Sequence, residues 1–239
     1  MDFVCLLGQP QYDAYREICR SLDSLEFRES TEWEPLAAEL NEGAVPAAAV
    51  CGLLYRKLHH QGCAYRPVAS PLLNGPRYSG GPYYWADVVV RAGSSIERFE
   101  DLRAKDWLFN ETDSYSGYRS YLSELARRGL GPGFLGDSVA TGSHAESWRR
   151  LLDGEGDFTV LDSTVYDYLP ERQKAGLRVV ESIGPKPAPL LICLPGNEDA
   201  LRPVLELSNL PEPFRGFAPV SHADYDCLWE DWELSQALA

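Results

Sequence analysis

The sequence predicts an α/β protein with mostly parallel sheets, and three observations carry that expectation. Strand-like apolar runs alternate with helix-patterned segments along all 239 residues, the order expected of βαβ units. VPAAAVCGLLY, residues 45–55, is a near-continuous run of small apolar side chains, which suits a strand buried on both faces beneath covering helices. WLFN runs directly into NETDSYSG and then into a segment with apolar residues at 118, 121, 122 and 125. That is a strand, a turn and a helix in succession.

Taken in order, FVCLLG reads as a strand, residues 12–23 as a helix, 25–30 as a poorly patterned second strand and 33–43 as a helix. After the 45–55 strand a further helix ends in RKLHHQG, where Lys and His ahead of Gly62 complement the helix dipole. His59, His60 and Cys63 offer no zinc spacing, so no metal is expected there. Residues 70–82, SPLLNGPRYSGGP, have the Pro and Gly content of a connector. YYWADVVVR is a strand, SSIERFEDLRAKDW a short helix and WLFN the next strand. SVATG gives a short strand, residues 144–153 a helix, and 157–161 a strand stopping at Asp162-Ser163-Thr164. AGLRVVESI and PLLICLP are strands separated by GPKPAP. A helical stretch near 198–208 is bent or started by Pro203, and YDCLWEDWELSQAL is a last, acidic helix.

The turn at 113–117, Asp-Ser-Tyr-Ser-Gly, permits two readings. Ser and Asp at a helix start accept bonds from N–H groups that have no intrahelical partner, which is capping. The same donors, with the helix dipole behind them, form an anion site. A strand feeding a hydroxyl-rich turn and a helix is also where open α/β sheets place ligands.

Thirty-six acidic against 22 basic residues give a net charge of −14. That balance excludes sequence-independent nucleic-acid binding and docking on anionic membrane, both of which need basic patches. No apolar run is long enough for a membrane span. Capture of an anion therefore rests on local hydrogen bonds and helix ends. The N-terminus MDFVCLLGQPQYD lacks the features of an export signal. The six cysteines, without CxxC spacing, read as reduced structural thiols. Together these place the chain in the cytoplasm, although a chain from which a signal had been removed reads the same and would be periplasmic.

Several segments together carry a family resemblance. PYYWADVVVRAGSSIERFEDLRAKDWLFNETDSYSGYRSYL, TGSHAESWRRLLDGEGDFTVLDS and LRVVESIGPKPAPLLICLP, with FAPVSHADYDCLW more weakly, cover most of residues 76–227. In this order they resemble the phosphate/phosphonate-binding branch of the type 2 periplasmic binding proteins, the solute receptors of ABC transporters. The first 45 residues match poorly. The resemblance implies two Rossmann-like α/β lobes joined at a hinge, with a small anionic ligand in an interlobe cleft. It implies lobe one at 1–92 plus 183–239, lobe two at 93–182, and crossover strands near 83–92 and 178–189. It further implies that Ser114, Tyr115 through its backbone N–H, Ser116 and Gly117 cradle phosphoryl-type oxygens, that His144 adds a donor, and that Tyr84 and Trp33 contribute aromatics. Asp162 is a further contact or a helix cap. Where relatives that bind aminoalkyl phosphonates carry two carboxylates, this chain has Thr164 and Ala188, which argues against an ammonium-bearing ligand.

The resemblance implies a binding protein rather than an enzyme, with no cofactor, and an ABC permease or a signalling protein as partner; a separate alternative is a ligand-sensing or partner-binding subunit with the acidic segment 225–239 as its contact surface. Two rivals differ in kind. Ser114 or Ser116 with His144 and Asp162 has the residue types of a hydrolase triad, without a G-x-S-x-G elbow. Alternatively, the same lobes would bind a sulfonate or a thiamine-precursor pyrimidine, with Tyr84 and Trp33 stacking on the ring. Tyr83 and Trp85, on the opposite strand face from Tyr84, are expected to pack.

Overall fold

The computed structural model describes residues 1–30 and 33–239. Its strands are β1 (Asp2–Cys5), β2 (Glu26–Phe27), β3 (Ala47–Val50), β4 (Arg66–Leu73), β5 (Tyr83–Arg91), β6 (Trp107–Phe109), β7 (Ser138–Ala140), β8 (Phe158–Asp162), β9 (Leu177–Pro187), β10 (Leu190–Cys193) and β11 (Phe214–Pro219). Its helices are α1 (Gln11–Ser21), α2 (Trp33–Asn41), α3 (Gly52–His60), α4 (Ser120–Arg127), α5 (His144–Asp153), α6 (Ser163–Asp167), α7 (Glu171–Lys174), α8 (Glu198–Leu201) and α9 (Asp226–Ser235). Short 3₁₀ turns at Phe99–Leu102 and Arg202–Glu206 take the place of the expected helix before WLFN and of the second half of the 198–208 helix.

The chain divides into two compact units. Unit one is Met1–Tyr83 with Lys186–Leu228, and unit two is Tyr84–Pro185 with Trp229–Ala239. These limits differ from the expected 1–92 plus 183–239 and 93–182. The reason lies in the pairing of β5 and β9, which are neighbours in the second sheet, so the divide falls at their outer ends. The last eleven residues, expected in lobe one, belong to unit two.

Unit one is a six-stranded sheet ordered β11-β4-β10-β3-β1-β2. β1 runs parallel to β2 and β3, but β10 is antiparallel to β3 and β4, and β11 antiparallel to β4. The sheet is mixed rather than mostly parallel, because strands leading into and out of the second unit are laid beside the parallel set. The apolar run at 45–55 splits into β3, whose four residues are all buried, and the start of α3. The connector composition at 70–82 also begins too early, since Ser70-Pro71-Leu72-Leu73 completes β4. The register with β11 is irregular between Phe214 and Gly216, and Pro is tolerated in strands near such irregularities. At the end of α3, Arg56 bonds His222 and pairs with Asp226 at 2.9 Å.

Unit two is a five-stranded sheet ordered β7-β6-β8-β5-β9. β6 is parallel to both β7 and β8, while β5 is antiparallel to β8. Strand alternation sends Ala86, Val88 and Val90 of β5, with Trp107 and Phe109 of β6, to one face, where they meet Tyr121, Leu122 and Leu125 of α4. Val89 and Leu108 point to the other face, toward Leu151 of α5. The helices after β6 and β7 therefore cover opposite faces of one sheet, while their N-termini meet at its edge.

Candidate functional site

The parallel run β7-β6-β8 brings three turns to one edge of unit two. Phe109 is in register with Ala140, and Leu108 with Thr159, so the residues after each strand emerge side by side. Tyr84 comes to the same edge from β5, where Ala86 pairs with Asp162.

The turn after β6 ends at Ser114, whose extended backbone and side chain cap the following helix. Its Oγ accepts from Gly117 N–H at 3.1 Å. The first helical turn, Tyr115–Arg119, is π-helical, with Arg119 N–H donating to Ser114 C=O at 3.1 Å. A π turn inside a helix is uncommon and frequent at functional sites. Ser116 is the second residue of that turn, too early for its N–H to have an intrahelical acceptor.

The turn after β7 is stitched to the first. Thr141 N–H donates to Phe109 C=O at 2.7 Å, and Gly142 N–H to Asn110 C=O at 2.8 Å. Gly142 has φ +85°, a conformation that suits glycine. Ser143 Oγ then accepts from Glu146 N–H and caps α5. His144, first residue of α5, is thereby aimed at the first turn, and its Nε2 lies 3.1 Å from Ser116 Oγ. The other ring nitrogen, Nδ1, is buried. Burial pushes the imidazole pKa down from 6.5 to about 4, against a smaller upward pull from the Val160 carbonyl. The ring is therefore neutral at pH 7, and either accepts from or donates to the Ser116 hydroxyl.

Gly117 allows this closeness. A Cβ there would collide with Asn110 Oδ1 and lie 2.9 Å from His144 Cε1. Asn110 Oδ1 is itself buried and unpartnered. Asn110 stands at the start of NETDSYSG, where nothing local in the sequence marks it as a site residue.

The structure brings Ser116 and His144 within hydrogen-bonding distance, with Ser114 and the Tyr115 backbone directly ahead in the same turn. Asp162 caps α6, its Oδ1 accepting from Thr164 N–H at 2.8 Å and from Thr164 Oγ–H at 2.6 Å. Tyr84 is buried at the same sheet edge. Trp85 N–H donates to Ser163 Oγ. Tyr83 is 41% exposed and does not pack as expected. The Tyr115 ring is buried, and its hydroxyl donates to Asp231. Trp33 opens α2 in unit one, as does Ala188 the approach to β10, its N–H bonded to Pro82 C=O. His144 bonds Ser116 and Asp162 is engaged by Thr164, so no Ser-His-Asp relay is assembled among the described residues. Nor, among them, does any group of three or more His, Cys, Asp and Glu residues suit a metal ion, and no helix is long and apolar enough to cross a membrane.

Three solved structures share this architecture. A binding-protein component of an ABC phosphonate transporter from Pseudomonas aeruginosa superimposes with a TM-score of 0.82 at 12% identity, covering 99% of this chain and 86% of the other. A protein from Prochlorococcus marinus in complex with methylphosphonate gives a TM-score of 0.79 at 12% identity, covering 99% and 98%. A protein from Xanthomonas citri bound to ATP gives 0.66 at 20% identity, covering 100% and 97%. No curated protein matches the sequence. The fold is that of the type 2 periplasmic binding proteins. Residues 23–206 match the family described as the periplasmic substrate-binding protein of phosphonate ABC transporters, and the chain belongs to that family. It is a family of transport receptors, not of enzymes. The match reaches further toward the N-terminus than the quoted segments and ends before FAPVSHADYDCLW.

Proposed function

We propose that this chain is a non-enzymatic receptor that holds the oxyanion end of a small phosphonate or phosphate-like ligand at the Ser114–Gly117 turn, and that it serves an ABC permease. One observation carries the reading. The turn opening the helical segment 115–127 pairs a capping serine with Ser116, whose hydroxyl is backed by neutral His144 at 3.1 Å. In the tautomer protonated at Nε2, His144 donates to Ser116 Oγ and leaves the hydroxyl proton free for an anion. Hydrogen bonds to a charged group contribute about 1.5–3 kcal/mol each. A micromolar dissociation constant corresponds to about 8 kcal/mol, so four such bonds, helped by the helix dipole, suffice without a lysine field. Family membership and the methylphosphonate held by the Prochlorococcus marinus protein support the ligand class. A ligand lacking an ammonium group is favoured, because the Thr164 hydroxyl is engaged by Asp162 and Ala188 carries no polar side chain.

Calorimetric titration with methylphosphonate, phosphite, phosphate, aminoethylphosphonate, sulfate and ATP tests the reading. The expected result is saturable binding of a phosphorus oxyanion without an ammonium group, weakened about ten-fold or more in Ser116→Ala, which loses one charge-assisted bond. Binding of ATP or sulfate in preference to these ligands, or binding untouched by Ser116→Ala, would overturn it.

A further inference from the structure

The acidic segment α9 turns a polar stripe inward. Asp231 and Ser235, four residues apart on one helix face, are both fully buried, while Glu230 and Glu233 are exposed. A buried carboxylate is costly unless it is bonded and paired. Asp231 meets that condition in unit two itself: Oδ2 accepts from the Tyr115 hydroxyl and Oδ1 from Arg127 Nη2. Ser235 Oγ lies 3.3 Å from Arg119 Nη1, and Arg119 Nε donates to Thr112 C=O at 2.8 Å. With its amide turned to satisfy both neighbours, Gln236 accepts from Arg119 Nη1 and Trp232 Nε1, each at 3.1 Å.

The two residues gripped are the first and last of the π turn. Tyr115 and Arg119 are held by Asp231 and Ser235, and Ser116, Gly117 and Tyr118 lie between the two anchors. We propose that α9 sets the geometry of the anion-binding turn, and that Asp231 is a positioning residue for ligand binding, acting through Tyr115; the second clause rests on the function proposed above. The π turn departs from the tighter hydrogen-bond pattern that a helix adopts by default. Fixing the Tyr115 ring from behind keeps the turn open while Ser116 faces His144. The charge of Asp231 is spent on Tyr115 and Arg127, so it adds no repulsion at the anion.

Hydrogen-exchange mass spectrometry on the full chain, comparing wild type with Asp231→Ala, Asp231→Asn and Tyr115→Phe, tests the anchor without any ligand. The expected result is an increase of about ten-fold or more in the exchange of amides 114–120 in Asp231→Ala, and in Tyr115→Phe, which keeps the ring and loses only one hydrogen bond. Amides of β5 and β8 keep their wild-type rates, and Asp231→Asn, which still accepts from the Tyr115 hydroxyl, restores most of the protection in the turn. Unchanged exchange in the turn, or an equal rise in β5 and β8, would overturn the proposal, the latter because it marks a merely structural residue. Titration with methylphosphonate in parallel is expected to show affinity lost about ten-fold in Asp231→Ala and recovered in Asp231→Asn. A response in exchange together with no wild-type binding refutes the proposed function and leaves the anchor standing. Wild-type binding that all three variants retain refutes the positioning role.

Discussion

Lowering the pH should destabilise the protein through His144, and the size of the effect follows from its burial. The folded chain keeps this imidazole neutral, with a pKa of about 4, while the unfolded chain takes up a proton near 6.5. Between those values the unfolded state binds more protons, so stability is complete above about pH 6.5 and falls as the pH drops toward 4. The full difference corresponds to about 3 kcal/mol, and about 2 kcal/mol of it is lost between pH 7.5 and 5. His144 as a whole retains some surface, which makes these upper figures. For 239 residues, 2 kcal/mol corresponds to about 4 °C in melting temperature. His59 and His222 are also shifted downward, chiefly by burial, so the assay compares wild type with His144→Gln, which keeps a hydrogen-bonding group beside Ser116 and removes the titration. Melting curves from pH 7.5 to 5 should show the variant falling by about 4 °C less than wild type. Parallel curves for the two proteins would refute the assignment of a buried, neutral His144.

Three other outcomes follow from the same packing. Gly117→Ala places a Cβ against Asn110 and His144; denaturant unfolding should show a loss of about 1–3 kcal/mol from overpacking, and anion titration should show no binding. Ser114→Ala removes the cap on Gly117 N–H and should cost about 1 kcal/mol in the same unfolding assay. Of the six cysteines, Cys5, Cys19 and Cys193 are buried, and burial pushes their pKa values up to about 12, 12 and 11. A thiol reagent at pH 8 should therefore modify three cysteines quickly and all six only after unfolding.

The candidate turn was legible because its signals are local. Ser114 caps three residues ahead, Gly117 permits a close approach, and the apolar spacing from Tyr118 announces the helix, all inside one short stretch. His144 was legible for the same reason, standing directly after Thr141-Gly142-Ser143. Sheet direction was not legible: an apolar run such as PLLICLP reads the same whether its neighbour is parallel or antiparallel, and β10 proved antiparallel to both of its neighbours. Composition misled at 70–73, where prolines belong to a strand near an irregular register. Asp231 was hidden by distance and by company. It lies 116 residues from Tyr115, amid exposed acids whose pattern suggests a solvated face, and only tertiary pairing distinguishes the buried carboxylate from its neighbours.

The return of residues 229–239 to unit two has a consequence for the order of synthesis. Tyr115 leaves the ribosome 116 residues before Asp231 does, an interval of about 6–23 s at ordinary elongation rates. Throughout it, Arg119 and Arg127 lack the partners that α9 supplies, and the turn between them has no anchor. On the proposed reading, the turn is thus anchored only once translation has passed Asp231, and a chain halted before that point is expected to hold the ligand weakly.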